Sequence, residues 1–257
     1  MASGAGNVSA EPVYAVGVDL AWSRRNRSGL AALRYDPDSR TATLTGQAWL
    51  RTDAEIAAWV AKHAPADSPA VIGIDAPLTV PNLTGSRPGD KALSAAYRRF
   101  QAGAYPANRR LLSRYNDGTP RGEVILAALA TQGIAHTPNI PTRGAVRAAF
   151  EVYPHAALVG LFGLTRTLKY KRGSAVQKAA ALRELARYMA KLSELEPSLA
   201  PFDPLPVDDM PHKQAEDCLD ALLCAYFALY YWYWGAAKCR IFGEAAGGYI
   251  VAPHPPQ

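Results

Sequence analysis

Apolar positions along the chain follow two rhythms. Continuous runs at 13–20, 70–75 and 148–153 carry β-branched or aromatic residues, and each ends at or beside an acid or a proline. Such runs predict strands covered on both faces. Residues 30–35 and 41–50 predict two further strands, and the Asp36-Pro37-Asp38-Ser39 stretch between them is turn chemistry that joins them as a hairpin. The helical rhythm begins after Thr52-Asp53, a cap for a helix reaching about 63 with Ile56, Ala57 and Val60 on one face. Ser174 caps a second helix, over 174–195, along which Leu182, Leu185 and Met189 recur. A third is predicted from a cap at Asp209, with Pro211 in its first turn, to about 234; it is apolar around nearly its whole circumference and therefore belongs against the sheet. A short strand at 249–251 completes the pattern.

Between 79 and 147 the rhythm weakens, and Pro, Gly, Arg and Tyr become frequent. This stretch reads as an inserted lobe. It holds ten basic residues against three acidic ones, whereas the whole chain carries +6, so the basicity is local. The domain expectation is a disordered tail over 1–12, one domain over 13–253 with the insertion at about 79–147, and a tail over 254–257. At 257 residues, 49% hydrophobic and 19% charged, the chain suits one elaborated soluble α/β domain. Residues 1–12 lack a basic start followed by an apolar run, which argues against a secretory signal. The stretch 218–237 has the length of a membrane span, about 20 residues, but contains Asp220. Cys218, Cys224 and Cys239 form no C-x-x-C pair, so no zinc or disulfide framework follows and a reducing, cytoplasmic setting is expected.

Acids mark the candidate chemistry. Asp19, Asp75 and Glu151 fall at the carboxyl ends of predicted strands, where α/β sheets place ligands. Asp217 and Asp220 are three residues apart, on one face of the last helix, and Ala221 and Cys224 extend that face with small side chains. Carboxylates gathered in a dry site raise one another's pKa unless a cation intervenes. Mg2+ or Mn2+, with its preference for hard oxygen donors, answers that need, and all five acids are candidate metal ligands and catalytic residues. Arg98, Arg99, Arg109, Arg110, Arg114 and Lys171 are candidates for gripping a nucleic-acid backbone, with Tyr97, Phe100, Tyr105 and Tyr115 available to stack on bases. Plainer roles compete: a salt bridge to a lobe arginine for Glu151, backbone capping for Asp75, hydrogen-bonded structural roles for His155 and His212, and core filling for the aromatic run from Tyr230.

Val-Gly-Val-Asp-Leu-Ala at 16–21, Ile-Asp-Ala-Pro at 74–77, Glu-Val-Tyr-Pro at 151–154 and Asp-Cys-Leu-Asp-Ala-Leu at 217–222 together resemble the DUF429 proteins, predicted nucleases of the ribonuclease H-like superfamily. The resemblance spans roughly 13–253. It implies a ribonuclease H-like mixed five-stranded sheet with helices on both faces. It also implies that Asp19, Asp75 and the Asp217/Asp220 pair stand for the acids of RuvC-type resolvases, with a homodimer as the resolvase-like assembly. Metal-dependent phosphodiester hydrolysis of DNA or RNA is the leading expectation. A nucleotide-dependent phosphotransferase of the actin and sugar-kinase type is the alternative, although its Gly-rich phosphate loops are missing after Asp75 and Glu151. A catalytically silent nucleic-acid-binding module is the third.

Overall fold

The structure is a computed structural model that describes residues 11–257; the first ten residues of the expected 1–12 tail lie outside the described residues. In chain order the elements are β1 (Val13–Asp19), β2 (Ser28–Asp36), β3 (Thr41–Leu50), α1 (Asp53–His63), β4 (Ala70–Asp75), α2 (Pro88–Tyr97), α3 (Arg109–Leu112) and α4 (Arg121–Ala130). There follow β5 (Ala135–His136), β6 (Arg147–Glu151), α5 (Pro154–Phe162), α6 (Ala175–Ala190), β7 (Ser198–Leu199), α7 (His212–Trp234), β8 (Cys239–Glu244) and β9 (Gly248–Pro253).

Seven strands form a mixed sheet in the order β5-β6-β4-β1-β2-β3-β7, and β8 with β9 makes a separate hairpin. The expected five-stranded sheet is thus corrected to seven. Two-residue strands, β5 and β7, are added at the edges, too short to carry a period in the sequence. β2 runs antiparallel to β1 and β3, while β4 and β6 run parallel to β1. The predicted hairpin turn is present, with Asp36 Oδ1 accepting from the Asp38 amide at 2.9 Å. Thr52 and Ser174 both cap their helices in reciprocal capping boxes with Glu55 and Gln177. Asp209 does not cap α7, whose N-cap is Pro211.

Helices cover both faces. One core joins α5, α6 and α7 to the sheet, and another joins α1 and α4 to the opposite face. From Ala215 to Tyr233 every residue of α7 is buried, as its all-round apolar sequence requires. Glycines set how closely it lies. A Cβ on Gly17 of β1 would fall 1.9 Å from the Ala221 carbonyl oxygen, one on Gly29 of β2 would fall 2.0 Å from that of Asp217, and one on Gly73 of β4 would fall 2.7 Å from that of Cys224. Helix and sheet therefore meet main chain to main chain along a seam of glycines. The aromatic run at the far end of α7 fills the core, with Tyr231 and Trp232 donating to the carbonyls of Pro138 and Gly144 at 2.7 and 2.8 Å.

The 79–147 stretch does not stand apart as a lobe. Leu93, Tyr97 and Phe100 are buried with the β8–β9 hairpin and α5, and Ile125, Leu129 and Ile134 belong to the sheet core. The C-terminal residues are likewise tied down, by a hydrogen bond from the His254 amide to Lys238 and from the Arg99 guanidinium to the Pro256 carbonyl. Among the described residues no helix is long and apolar enough to cross a membrane.

Candidate active site

Strand alternation places Asp19 on the same face as Gly17, and Asp75 on the same face as Gly73, just past the point where α7 crosses. The two aspartates are register partners in adjacent parallel strands, so their carboxyls sit side by side at the strand tips. Gly29, the register partner of Asp19 on its other side, lies under the Asp217 backbone, which brings the N-terminal half of α7 to the same place. Asp19, Asp75, Asp217 and Asp220 thereby gather at one end of the sheet. Asp19 and Asp75 open onto a cleft of about 530 Å³ whose rim includes Trp22, Tyr105, Tyr153, His155, Lys171 and Lys213.

The four acids are not equally provided for. Asp217 Oδ2 accepts from Trp49 Nε1 at 3.0 Å, and its Oδ1 lies 2.6 Å from Lys213 Nζ. Asp220 Oδ1 accepts from the Tyr170 hydroxyl at 2.7 Å, and its Oδ2 lies 2.7 Å from Lys171 Nζ. Both ammonium contacts are ion pairs without the alignment of a hydrogen bond. Asp19 and Asp75, by contrast, have neither a hydrogen bond nor an ion pair among the described residues. Burial raises Asp19 well above the ordinary carboxylate range; Lys171 pulls against that rise, and Asp220, Asp217 and Asp75 add to it. Burial likewise pushes Asp75 to about 7, with Lys171 opposing and Asp220 and Glu151 reinforcing. Burial would lower Lys171, but Asp220, Asp19 and Asp75 hold its ammonium well above the usual lysine value. Lys171 thus acts as an internal counter-charge, with 32% of its side chain still exposed.

Glu151 is deployed differently from the other strand-end acids. Arg87 Nη2 and Nη1 grip its two oxygens at 2.5 and 2.8 Å, and the Leu78 amide donates to it at 2.9 Å. The same guanidinium binds Asp90 at 2.7 Å. Arg87, Asp90 and Glu151 are all buried, so Glu151 enters a closed triad rather than the open cleft. This is the salt bridge to an arginine of the 79–147 stretch that competed with the metal-ligand role.

The basic candidates scatter. Arg109 pairs with Glu123 at 2.8 Å, Arg99 donates to the Pro256 carbonyl, and Lys171 belongs to the acid cleft. Arg98, Arg110 and Arg114 are exposed and have no partner among the described residues. Tyr97 and Phe100, proposed for stacking, are core residues, and the Tyr115 side chain lies outside the described residues. Tyr105, 52% exposed, does face the cleft. Sequence reasoning passed over Lys213, Trp49 and Arg87, and it weighed Tyr170 with Lys171 and Arg172 as a phosphate grip or a solvated basic loop, not as the partner of Asp220. Lys213 carried a signal, standing one helical turn before Asp217; Trp49 and Tyr170 carried none, because their partners are remote in the chain.

Among the described residues no three His, Cys, Asp or Glu side chains converge as a ligand set for a metal ion. The free donors are the two carboxylates Asp19 and Asp75. In comparisons with known proteins, a family model described as "Protein of unknown function (DUF429)" matches residues 17–245. No curated protein and no solved structure matches.

Proposed function

The chain belongs to the DUF429 family, and from that footing we propose that it hydrolyses phosphodiester bonds of nucleic acid with the help of Mg2+ or Mn2+ held at Asp19 and Asp75. The observation that carries the reading is the pair of adjacent, unpartnered carboxyls at the tips of β1 and β4, facing a cleft of about 530 Å³. Even with Lys171 as counter-charge, burial and the neighbouring acids hold both carboxyls above the ordinary carboxylate range, and a divalent cation relieves that. Mg2+ in particular is usually held by one or two carboxylates and completes its shell with water and substrate phosphate, so a two-carboxylate donor set fits it. When bound, such an ion neutralises phosphate charge and lowers the pKa of water.

The chain's own groups supply the rest. Lys171 and Lys213 stand at the rim as cations for non-bridging phosphate oxygens, each anchored on an α7 aspartate. Tyr170 and Trp49 fix Asp220 and Asp217 in orientation, so the ammonium groups are presented and not free to wander. Glu151 is left outside the metal set, because Arg87 satisfies both its oxygens. The order β3-β2-β1-β4-β6 within the sheet, with only β2 reversed, supports a ribonuclease H-like reading of the core. Cleavage of labelled single-stranded and duplex DNA and RNA, with Mg2+, Mn2+ or EDTA, tests the proposal. Metal-dependent products that vanish in Asp19→Asn are expected; no product from any substrate with either metal sinks it.

A further inference from the structure

A second cavity of about 360 Å³ adjoins the acid cleft, sharing Tyr105, Tyr153, His155 and Lys171 with it. Its charge is of one sign, whereas the acid cleft mixes Asp19 and Asp75 with Lys171 and Lys213. Lys169, Lys171 and Arg172 line it, all from one four-residue stretch, and no acid does. Lys169 has no partner among the described residues, and Arg172 is held only by Tyr105, through the ring, 5.4 Å away, and the hydroxyl. Two aromatic walls face this cationic loop: Tyr105, and Tyr153, whose hydroxyl is fixed by donating to the Gly103 carbonyl at 3.2 Å. Between them His155 Nδ1 contacts the Thr167 hydroxyl at 3.0 Å, which leaves its Nε2 with no protein partner among the described residues. With burial lowering its pKa to about 4, His155 stays neutral at physiological pH and offers a polar edge without charge.

We propose that this second chamber is a nucleotide subsite: the cationic loop takes a 5′-phosphate, the base stacks on Tyr105 or Tyr153, and the next phosphodiester falls over Asp19 and Asp75. The volume lies at the small end of ligand cavities, which suits one nucleotide and not a stacked duplex. A paired base would have to leave its stack to enter, so the substrate is a single strand or an unpaired end. Lys171, on the wall common to both cavities, is placed between the two phosphates. For the identity of the substrate this inference rests on the hydrolytic reading of the acid cleft.

Calorimetry on the full chain in EDTA separates the subsite from the chemistry, with AMP, inorganic phosphate, a short oligothymidylate carrying a 5′-phosphate and a blunt duplex as probes. AMP and the oligonucleotide are expected to bind saturably, and both about tenfold or more tighter than inorganic phosphate, because stacking adds to charge. A tighter oligonucleotide identifies a strand as the source of the nucleotide, and equal or tighter AMP identifies a free nucleotide. The double variant Lys169→Ala/Arg172→Ala should weaken both about tenfold, and Tyr105→Ala should weaken both about fivefold while Tyr105→Phe stays near wild type. Inorganic phosphate binding as tightly as AMP, duplex matching the single strand, or unchanged binding in the double variant overturns the subsite. Metal-dependent cleavage with binding indifferent to these variants would remove the subsite and keep the hydrolysis. Variant-sensitive AMP binding with no cleavage under any metal would do the reverse.

Discussion

Two clusters of acid lie at the same edge of one sheet and come from similar stretches of sequence, yet they are opposite devices. Glu151 ends β6, as Asp19 and Asp75 end β1 and β4. A buried guanidinium reaches Glu151 and Asp90 together and closes a triad that the large cleft does not reach. No such group reaches Asp19 and Asp75, which stay paired with each other and open to a cleft. What separates structure from chemistry here is the arrival of one arginine from 64 residues away, not the local motif.

Removing that arginine breaks the contrast most severely. Arg87→Met leaves two buried carboxylates uncompensated, and a loss of about 3–5 kcal/mol is expected from urea unfolding of the variant against wild type. A loss below about 1 kcal/mol would mean that the triad is not neutralised by Arg87. At the open pair the sign reverses. Asp75 titrates near 7 when folded and near 4 when unfolded, so the native state holds the extra proton between those values. The contribution of Asp75 to stability is therefore fully present below about pH 4, is lost as pH rises to about 7, and changes no further above that. Asp75→Asn should then stabilise the metal-free protein at pH 8, on the order of 2 kcal/mol after allowing for the attraction to Lys171 that is lost, and should leave it unchanged at pH 4. Destabilisation at pH 8 would assign Asp75 to structure, beside Glu151.

Mn2+ sharpens the same contrast. It should raise the thermal midpoint of wild type with a concentration dependence set by mass action, and leave the Asp19→Asn midpoint unmoved. An equal rise in both would place the ion elsewhere. The smallest effect belongs to Lys213→Met. Its side chain is 61% exposed and Asp217 keeps Trp49, so a loss of about 1 kcal/mol or less is expected.

The sheet strands and long helices were legible because buried strands and α7 announce themselves through unbroken apolar runs, and α1 and α6 through reciprocal caps. The 79–147 region was not, since its helices are four to ten residues long, and Pro88 at the start of α2 and the N-caps Asn108 and Pro120 of α3 and α4 look in sequence like loop residues. Pro154 misled in another way, as it starts α5 while also ending the strand before it. The gathering of Asp19, Asp75, Asp217 and Asp220 followed from their positions at strand ends and on one helical face. Their differing fates did not, because Lys171, Trp49 and Arg87 arrive through tertiary contacts that no local pattern encodes. Net charge did not tell committed arginines from available ones: much of the arginine in the basic stretch is consumed inside the fold, Arg121 on Asp53 and Arg147 on four backbone carbonyls among them.

A helix seated on bare peptide has its altitude over the strands fixed by main-chain dimensions that substitutions elsewhere in the core cannot rescale. Leucines and tyrosines around α7 can therefore drift in identity while the acidic turn keeps its elevation over the strand tips. Alanine introduced at Gly17 for the sake of rigidity would prop the cylinder up like a wedge and draw its aspartates away from those of the sheet.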